Sequence, residues 1–245
     1  MKLTSGMLLV VHVPKTAGTS LRLALERYYG VNRVIRDYGP NAKATSQVVQ
    51  EYLYSENKAD KEALIQRVSE SGAKVLVGHF HVAKYSPYFD PARILAFVRE
   101  PMERACSEYL HRIKNKTYSG TFESFAQSNS KRNIQSRFLA GVSDQSFVGL
   151  TEQYPGSLRY LNALYGMKLK RLKRNVNRAS GGAVLLSRLS DAEKSIFYEY
   201  NQDDMKLFEY HKNRFATLDI PPTKFEQMSG LLKSANLRGR NNKEI

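Results

Sequence analysis

The chain has 245 residues, with 38 lysines and arginines against 23 aspartates and glutamates, so its formal net charge is +15. Such a charge favours polyanionic partners: an acidic glycan, a multiply charged nucleotide, nucleic acid or an anionic membrane surface. Cys106 is the only cysteine, which excludes a disulfide framework and a cysteine-rich metal site. This length is sufficient for one domain with a large buried core.

The first segment, residues 7–29, predicts a buried strand, a short loop and an amphipathic helix. Residues 7–13 are almost all apolar, as in a strand covered on both faces, and Pro14 ends the run. The following residues place apolar side chains on one helical face, and Thr19 or Ser20 is the expected N-cap. The apolar run is too short to span a membrane and resembles no cleavable leader, so we expect a cytoplasmic protein.

The loop between this strand and helix reads PKTAGTS, residues 14–20. Free N–H groups and the positive end of the helix dipole favour a phosphate or sulfate at such a place. Lys15 adds a cation, Gly18 would allow a close approach of the backbone, and the hydroxyl donors are those of Thr16, Thr19 and Ser20. The loop of nucleoside triphosphatases has its lysine after the last glycine, whereas here the lysine comes first. Taken alone, the loop fits an anion site and plain scaffolding equally well.

Residues 31–35 predict a second strand, residues 46–54 and 60–68 predict helices, and residues 74–77 predict a third strand. The connecting stretch contains Tyr38, Tyr52 and Tyr54, which suit contact with a sugar or ordinary surface packing. His79 and His81 directly follow the third strand. A metal site would need further ligands, and no H-x-x-x-H pattern or cysteine supports one. The two histidines are therefore structural, or one of them is a general base, because imidazole exchanges protons near neutral pH.

The second informative segment is residues 93–114, which predicts a strand over 94–98 and a helix beginning at Pro101. Arg99 stands at the carboxyl end of the strand, where ligands bind in open α/β sheets. An apolar stripe along the helix includes Cys106 and predicts a buried thiol. Ser107 lies outside that stripe, where it is either a solvated position or shares an anion with Arg99.

The rest of the chain predicts helices over residues 121–127, 134–140, 157–165, 190–200 and 202–215, the fourth with a capping box at SDAE. Within 134–140, Gln135 and Arg137 are candidates for contact with an acceptor or for helix packing. Residues 168–178 contain a basic run, typical of a solvated surface or of contact with an anionic membrane or nucleic acid. We expect one domain over residues 1–220 and a C-terminal helix with a mobile basic tail over 221–245.

PKTAGTS at 14–20 and FVREPMERACSEY at 97–109, each at a strand end, together resemble the paired signature of sulfotransferases that use 3′-phosphoadenosine 5′-phosphosulfate. The form HVPKTAGTS resembles the carbohydrate branch, which includes heparan sulfate 2-O-sulfotransferase and bacterial relatives. The resemblance implies an α/β fold with a mostly parallel central sheet flanked by helices. It also implies this nucleotide as co-substrate, without a metal, and a hydroxyl acceptor that belongs to a glycan or glycoconjugate.

The resemblance assigns roles to residues of both motifs. In that family the first loop binds the 5′-phosphosulfate, which here implies Lys15, Thr16, Ala17, Gly18, Thr19 and Ser20. The second motif holds the 3′-phosphate, which implies Arg99 and Ser107, and the basic run adds Arg174 and Arg178 as weaker candidates. His79 after Gly78 matches the position of a catalytic histidine, with His81 as its support or alternative. The family's HGH arrangement is absent here, because Val77 precedes Gly78.

Two alternatives from other classes remain at this point. A P-loop kinase of nucleotides or small molecules would depend on magnesium and bind ATP, although the position of Lys15 argues against it. A non-catalytic polyanion-binding protein would bind through its basic surface, with an affinity that falls steeply with salt. We expect no specific nucleic-acid partner, whereas peripheral contact with a membrane stays open.

Overall fold

Five short parallel strands form the centre of the structure, a computed structural model that describes residues 4, 6–55, 59–171 and 181–222. The strands are β1 (Leu8–Val11), β2 (Val34–Asp37), β3 (Val75–Gly78), β4 (Ile94–Val98) and β5 (Phe147–Leu150). Their order across the sheet is β2-β3-β1-β4-β5, and every pairing is parallel. Parallel neighbours require crossover connections, which the helices provide.

Helices cover the sheet, and some of them also enclose a second cluster of apolar side chains away from it. They are α1 (Gly18–Tyr29), α2 (Gln47–Val49, continued by a π-helical turn Gln50–Tyr54), α3 (Lys61–Glu70), α4 (Pro101–Lys114), α5 (Phe122–Gln127), α6 (Ile134–Phe138), α7 (Tyr154–Tyr165), α8 (Gly181–Leu186), α9 (Asp191–Tyr200) and α10 (Gln202–Ala216). The expected α/β architecture with a mostly parallel sheet is therefore confirmed.

The central strands are buried on both faces, as their continuous apolar sequences predict. All residues of β1, β3 and β4 are buried, and they form one core with the inner faces of the helices. A smaller core lies between α4, α5 and α9, and it includes Cys106, whose thiol has its pKa raised to about 12 by burial. The predicted buried thiol is confirmed. The apolar stripe of α4 ends before Ile113, which is exposed.

Helix starts follow the local sequence in most cases. Pro101 occupies the first turn of α4, and α9 begins at Ser190 with the predicted capping box. The expected cap of α1 was wrong: its N-cap is Ala17, in the left-handed conformation and without a side-chain cap. Thr19 and Ser20 lie inside the first helical turn. The reason is that the chain turns sharply enough after Pro14 for the helix to begin two or three residues earlier than expected.

Strand β5 was not among the predicted elements. It has only four residues, and Gly149 interrupts its apolar pattern. Gly149 lies where a Cβ would come within 2.8 Å of the Phe97 ring of β4, so the packing of the sheet edge explains the glycine.

Most of the expected C-terminal segment 221–245 lies outside the described residues. Among the residues described, no helix has the length and apolarity to cross a membrane.

The pairing of β2 with β3 depends on a close approach at Gly78. Gly78 pairs with Asp37, and a Cβ at Gly78 would overlap the main-chain carbonyl of Asp37. A side chain here would push apart two strands at the edge that carries His79. This constraint is stereochemical, since it comes from backbone atoms that cannot rotate away.

We predict that Gly78→Ala lowers the free energy of unfolding by about 2 kcal/mol or more, because backbone atoms must move to accept the methyl group. The control is Gly156→Ala in α7, where a Cβ would meet Ile220 at 3.5 Å, an ordinary contact. That variant should be neutral or slightly stabilising, by roughly 0.5–1 kcal/mol, since alanine is the better helix former. Urea unfolding measures both, and equal effects would contradict the account of Gly78.

Candidate active site

Three predicted site segments meet at the carboxyl edge of the sheet. The loop beginning at Pro14 follows the central strand β1, His79 follows β3 on one side, and Arg99 follows β4 on the other side. The chain leaves β1 towards the β3 side and leaves β4 towards the β5 side. Connections that diverge in this way open a crevice, the usual binding place in open α/β sheets.

The loop between β1 and α1 has an unusual backbone conformation. Lys15 (φ 70°) and Ala17 (φ 65°) both adopt the left-handed conformation, which costs a non-glycine residue about 1–2 kcal/mol. The buried Thr16 hydroxyl donates to the carbonyl of Val13 at 2.8 Å and so ties the turn to the strand end. No hydrogen bond of ordinary geometry joins the N–H groups of residues 15–19 to the described part of the chain.

Gly18 is required by the histidine that precedes the loop. A Cβ at Gly18 would overlap the imidazole of His12, which packs directly against the first turn of α1. The expectation that this glycine leaves room for a ligand needs correction, because His12 already fills the space above its Cα. Thr19 is exposed at the helix start, and Ser20 is partly buried, with its N–H bonded to the Ala17 carbonyl at 3.0 Å.

His12, Tyr38 and His79 form a cluster of three rings beside the loop. The ring centroids of His12 and His79 are 4.4 Å apart, those of Tyr38 and His79 are 4.8 Å apart, and His12 Nδ1 lies 2.9 Å from the Tyr38 hydroxyl. Burial, with smaller contributions from the charges of His79 and Arg22, lowers the pKa of His12 to about 3. Burial also raises the pKa of Tyr38 to about 12. His12 and Tyr38 are therefore neutral around His79 near pH 7.

His79 differs from His12 because its side chain is accessible to solvent. It lies on a concave surface, where partial loss of water lowers its pKa and the carboxylate of Glu108 acts in the opposite direction. A neutral imidazole in contact with a solvent-filled space can accept a proton. This is the property that a general base needs.

A buried carboxylate fixes the end of β2 next to this ring cluster. Asp37 accepts hydrogen bonds from Lys84 Nζ at 2.6 Å, the Tyr85 hydroxyl at 2.7 Å and the Tyr54 hydroxyl at 2.8 Å. Burial alone would raise the pKa of Asp37, but these hydrogen bonds outweigh it and hold the pKa below its ordinary value. The main-chain carbonyl of Asp37 in turn accepts from His79 N–H at 2.9 Å. Tyr54 therefore has a structural role.

A cavity of about 420 Å³ lies between the loop, the ring cluster and the last turns of α4. One wall consists of His12, Pro14, Lys15, Thr19 and His79. The other consists of Glu108, His111, Arg112, Asn115 and Thr117, of which the first four share one face of α4 at the spacing i, i+3, i+4, i+7. The volume falls within the range of about 300–1,000 Å³ that is typical of ligand pockets.

Charged side chains of both signs face this cavity. Partial burial lowers the pKa of Lys15, with Glu108 acting in the opposite direction and Arg99 in the same direction. Glu108 is buried, and its Oε1 accepts from Arg112 Nε at 2.6 Å. Lys15 belongs to the loop itself, and it lines the cavity next to Pro14 and Thr19.

His81 occupies a different position from His79. It is exposed, its ring stacks on Phe138 with centroids 5.0 Å apart, and it is absent from the lining of the cavity. The two histidines therefore have different surroundings, and Phe80 between them is buried. Of His79 and His81, His79 is the one that lines the same cavity as Lys15.

The main chain of Arg99, at the end of β4, is held by hydrogen bonds to the side chain of Gln135. Gln135 is fully buried, accepts from Arg99 N–H at 2.8 Å and donates to the Arg99 carbonyl at 2.9 Å. Asp204 of α10 fixes Gln135 in turn by accepting its N–H. The Arg99 guanidinium pairs with Glu103 at 3.0 Å. Gln135 contacts Arg99, whereas Arg137 is exposed and bonds to the carbonyl of Asn129.

Ser107 lies one turn beyond Glu103 on α4, partly covered by α8. A Cβ at Gly182 would come within 3.2 Å of the Ser107 nitrogen, so the backbones of the two helices are in close contact there. Arg99 and Ser107 both lie outside the lining of the 420 Å³ cavity. Arg174 and Arg178 lie outside the described residues. No group of three or more metal-binding side chains occurs in the described ranges.

His12 and Glu108 were not predicted as members of this region, and Gln135 was predicted to contact an acceptor or to pack within a helix, not to hold Arg99. His12 stands directly before PKTAGTS, so its proximity to the loop was a usable signal. The position of Glu108 next to Ser107 was visible too, but its direction depends on the rotation of α4. The contact of Gln135 with Arg99 could not be found in this way, because it joins residues 36 positions apart.

Comparisons with known proteins give two kinds of match. The model of the sulfotransferase family matches residues 5–154. A solved sulfotransferase from Alicyclobacillus acidocaldarius is 16% identical, with 79% of this chain and 94% of that chain covered and a TM-score of 0.40. A mouse sulfotransferase complexed with PAP is 14% identical, with 84% of this chain and 70% of that chain covered and a TM-score of 0.44. No curated protein matches.

Proposed function

The chain belongs to the sulfotransferase family, and from this premise we propose that it transfers a sulfuryl group from 3′-phosphoadenosine 5′-phosphosulfate to a hydroxyl group of a carbohydrate. The observation that carries the proposal is the row of free N–H groups at residues 15–19, with the Lys15 side chain beside them. A phosphosulfate fits this place, since it is rich in oxygen acceptors and negatively charged.

On the donor side, each part of the loop has a distinct task. The N–H groups of residues 15–19 and the positive end of α1 bind the phosphosulfate oxygens and orient them. Lys15 stabilises negative charge that grows on the phosphate side as the reaction proceeds. The hydroxyls of Thr19 and Ser20 add donors at the helix start, while Thr16 holds the turn through its bond to Val13.

On the acceptor side, His79 is the proposed base. When bound, the nucleotide supplies an activated sulfuryl group: the acceptor oxygen bonds to sulfur as the bond between sulfur and the bridging phosphate oxygen breaks, and adenosine 3′,5′-bisphosphate (PAP) leaves. His79 takes the hydroxyl proton, and its lowered pKa keeps the imidazole neutral and able to do so. Its place in the same cavity as Lys15 supports this role over that of His81.

Arg99 and Ser107 are the proposed partners of the 3′-phosphate. The Arg99 guanidinium pairs with Glu103 through Nη2 at 3.0 Å and keeps other donors for a phosphate. The two bonds between Gln135 and the Arg99 main chain hold the arginine in register. Anchoring the nucleotide at its far end fixes the distance of the sulfuryl group from His79.

The test of the function is calorimetric binding of PAP, 5′-AMP and ATP with magnesium. We predict metal-independent binding of PAP that is about tenfold or more tighter than that of 5′-AMP, because a charge-assisted contact contributes about 1.5–3 kcal/mol. Arg99→Ala should remove most of this preference. Arg67→Ala, which removes the same charge from the exposed face of α3, should change it less than about twofold.

Two results would contradict the proposal. Equal weak binding of the three nucleotides by the wild type would identify a basic surface without a donor site. A magnesium-dependent preference for ATP would identify a kinase.

The roles of His79 and His81 can be separated by measuring the transfer of a sulfur-labelled sulfuryl group from the donor to an added carbohydrate. We predict that His79→Gln lowers kcat by about 100-fold or more, since general-base catalysis contributes about 10²- to 10⁴-fold. PAP affinity should stay unchanged, because the base contacts the acceptor. His81→Gln should lower kcat less than about threefold, in keeping with its stacking on Phe138. The opposite order of the two variants would make His81 the base.

A further inference from the structure

The wall of the cavity, taken as all of its described lining residues, is polar. Among the ten described lining residues, only Pro14 has no side-chain nitrogen or oxygen. An apolar acceptor such as a phenol would leave these groups without hydrogen-bond partners, at a cost of about 1–3 kcal/mol for each group that loses water. A polyhydroxylated ring would instead offer a donor and an acceptor at each of its hydroxyls. The chemistry of the wall therefore favours such a ring.

The charges of the wall restrict the acceptor further. The lining contains two cationic side chains in its described part, Lys15 and Arg112. Lys15 adjoins the free N–H groups and is committed to the donor, and Arg112 is paired with Glu108 at 2.6 Å. His111 remains neutral, since partial loss of water and then the charge of Lys15 lower its pKa, and Asn115 Nδ2 lies 3.0 Å from its Nε2. No unpaired cation remains there for an acceptor carboxylate or sulfate.

The Glu108–Arg112 pair itself can recognise a hydroxyl. Oε1 of Glu108 is occupied by Arg112, whereas Oε2 accepts no hydrogen bond from the described residues. A sugar hydroxyl could donate to Oε2 and accept from the guanidinium, which has donors left over. Arg104, one turn earlier on α4, is buried, and the negative charge of Glu108 acts on it. The pair is thus a neutral unit with one acceptor and several donors.

We infer that Glu108 and Arg112 select an uncharged, polyhydroxylated acceptor, a neutral sugar ring, and exclude anionic sugars. The inference rests on the proposed function and narrows its acceptor class. Once the negatively charged donor is bound, an acceptor carboxylate would meet the donor phosphosulfate and Glu108 without a free cation to offset them. The net charge of +15 belongs to the whole chain and does not describe this cavity.

The experiment measures sulfuryl transfer from sulfur-labelled donor to methyl β-D-glucoside, methyl β-D-glucuronide and 2-naphthol. For the wild type we expect kcat/KM for the glucoside to exceed that for the glucuronide at least about tenfold, a difference of about 1.4 kcal/mol, and to exceed that for the naphthol. Glu108→Gln frees Arg112 and should lower the glucoside-to-glucuronide ratio about tenfold. Arg112→Gln removes the cation that pairs with Glu108 and should raise the ratio. Because the two variants should change the ratio in opposite directions, a loss of stability in one of them cannot produce both results.

The matched control is Glu62→Gln, which removes one negative charge from the exposed face of α3 and should leave the ratio unchanged. A wild type that prefers the glucuronide or the naphthol overturns the inference. So does a ratio that neither Glu108→Gln nor Arg112→Gln changes. Absence of transfer to the glucoside by protein that binds PAP overturns the inference and leaves the donor site intact. Failure to bind PAP overturns the proposed function itself.

Discussion

The contact between the His12 ring and the backbone of Gly18 is the constraint on which the site depends. His12 follows β1 directly, and its N–H bonds to the Gly78 carbonyl at 2.9 Å, while its ring contacts Tyr38 and His79. α1 must therefore begin with a glycine, and the chain reaches it through two left-handed residues, Lys15 and Ala17. Backbone strain of this kind is typical of functional loops. The N–H groups of residues 15–19 in this loop make no hydrogen bond of ordinary geometry with the described part of the chain.

Two rigid supports bring the other segments to that point. On the β2 side, Asp37 joins the Tyr54, Lys84 and Tyr85 side chains and carries His79 through its main-chain carbonyl. On the β4 side, buried Gln135 holds the main chain of Arg99. Both supports use buried polar groups with satisfied hydrogen bonds, which fix position more strictly than apolar packing does. The reactive groups can thus be exposed while their backbones stay fixed.

Much of the architecture could be predicted from local patterns. Apolar runs found β1, β3 and β4, and helix signals found α4 and α9, because these elements have the composition of their class. β5 was not predicted because it is short and contains Gly149. The glycine is explained by the Phe97 ring of another strand, which leaves no room for a side chain. The same limit applies to the site. The loop and its lysine are local in sequence, whereas the contacts of Gln135 and of Glu108 follow from how distant helices pack.

The most direct test of the account is the amide spectrum of ¹⁵N-labelled protein during a titration with PAP. The account predicts that the amide signals of residues 15–19 shift most strongly downfield, because their free N–H groups gain a charged acceptor. Adenosine, which lacks both phosphates, should leave these signals in place. Saturation with PAP while the amides of residues 15–19 remain unchanged would contradict the claim that this loop binds the donor.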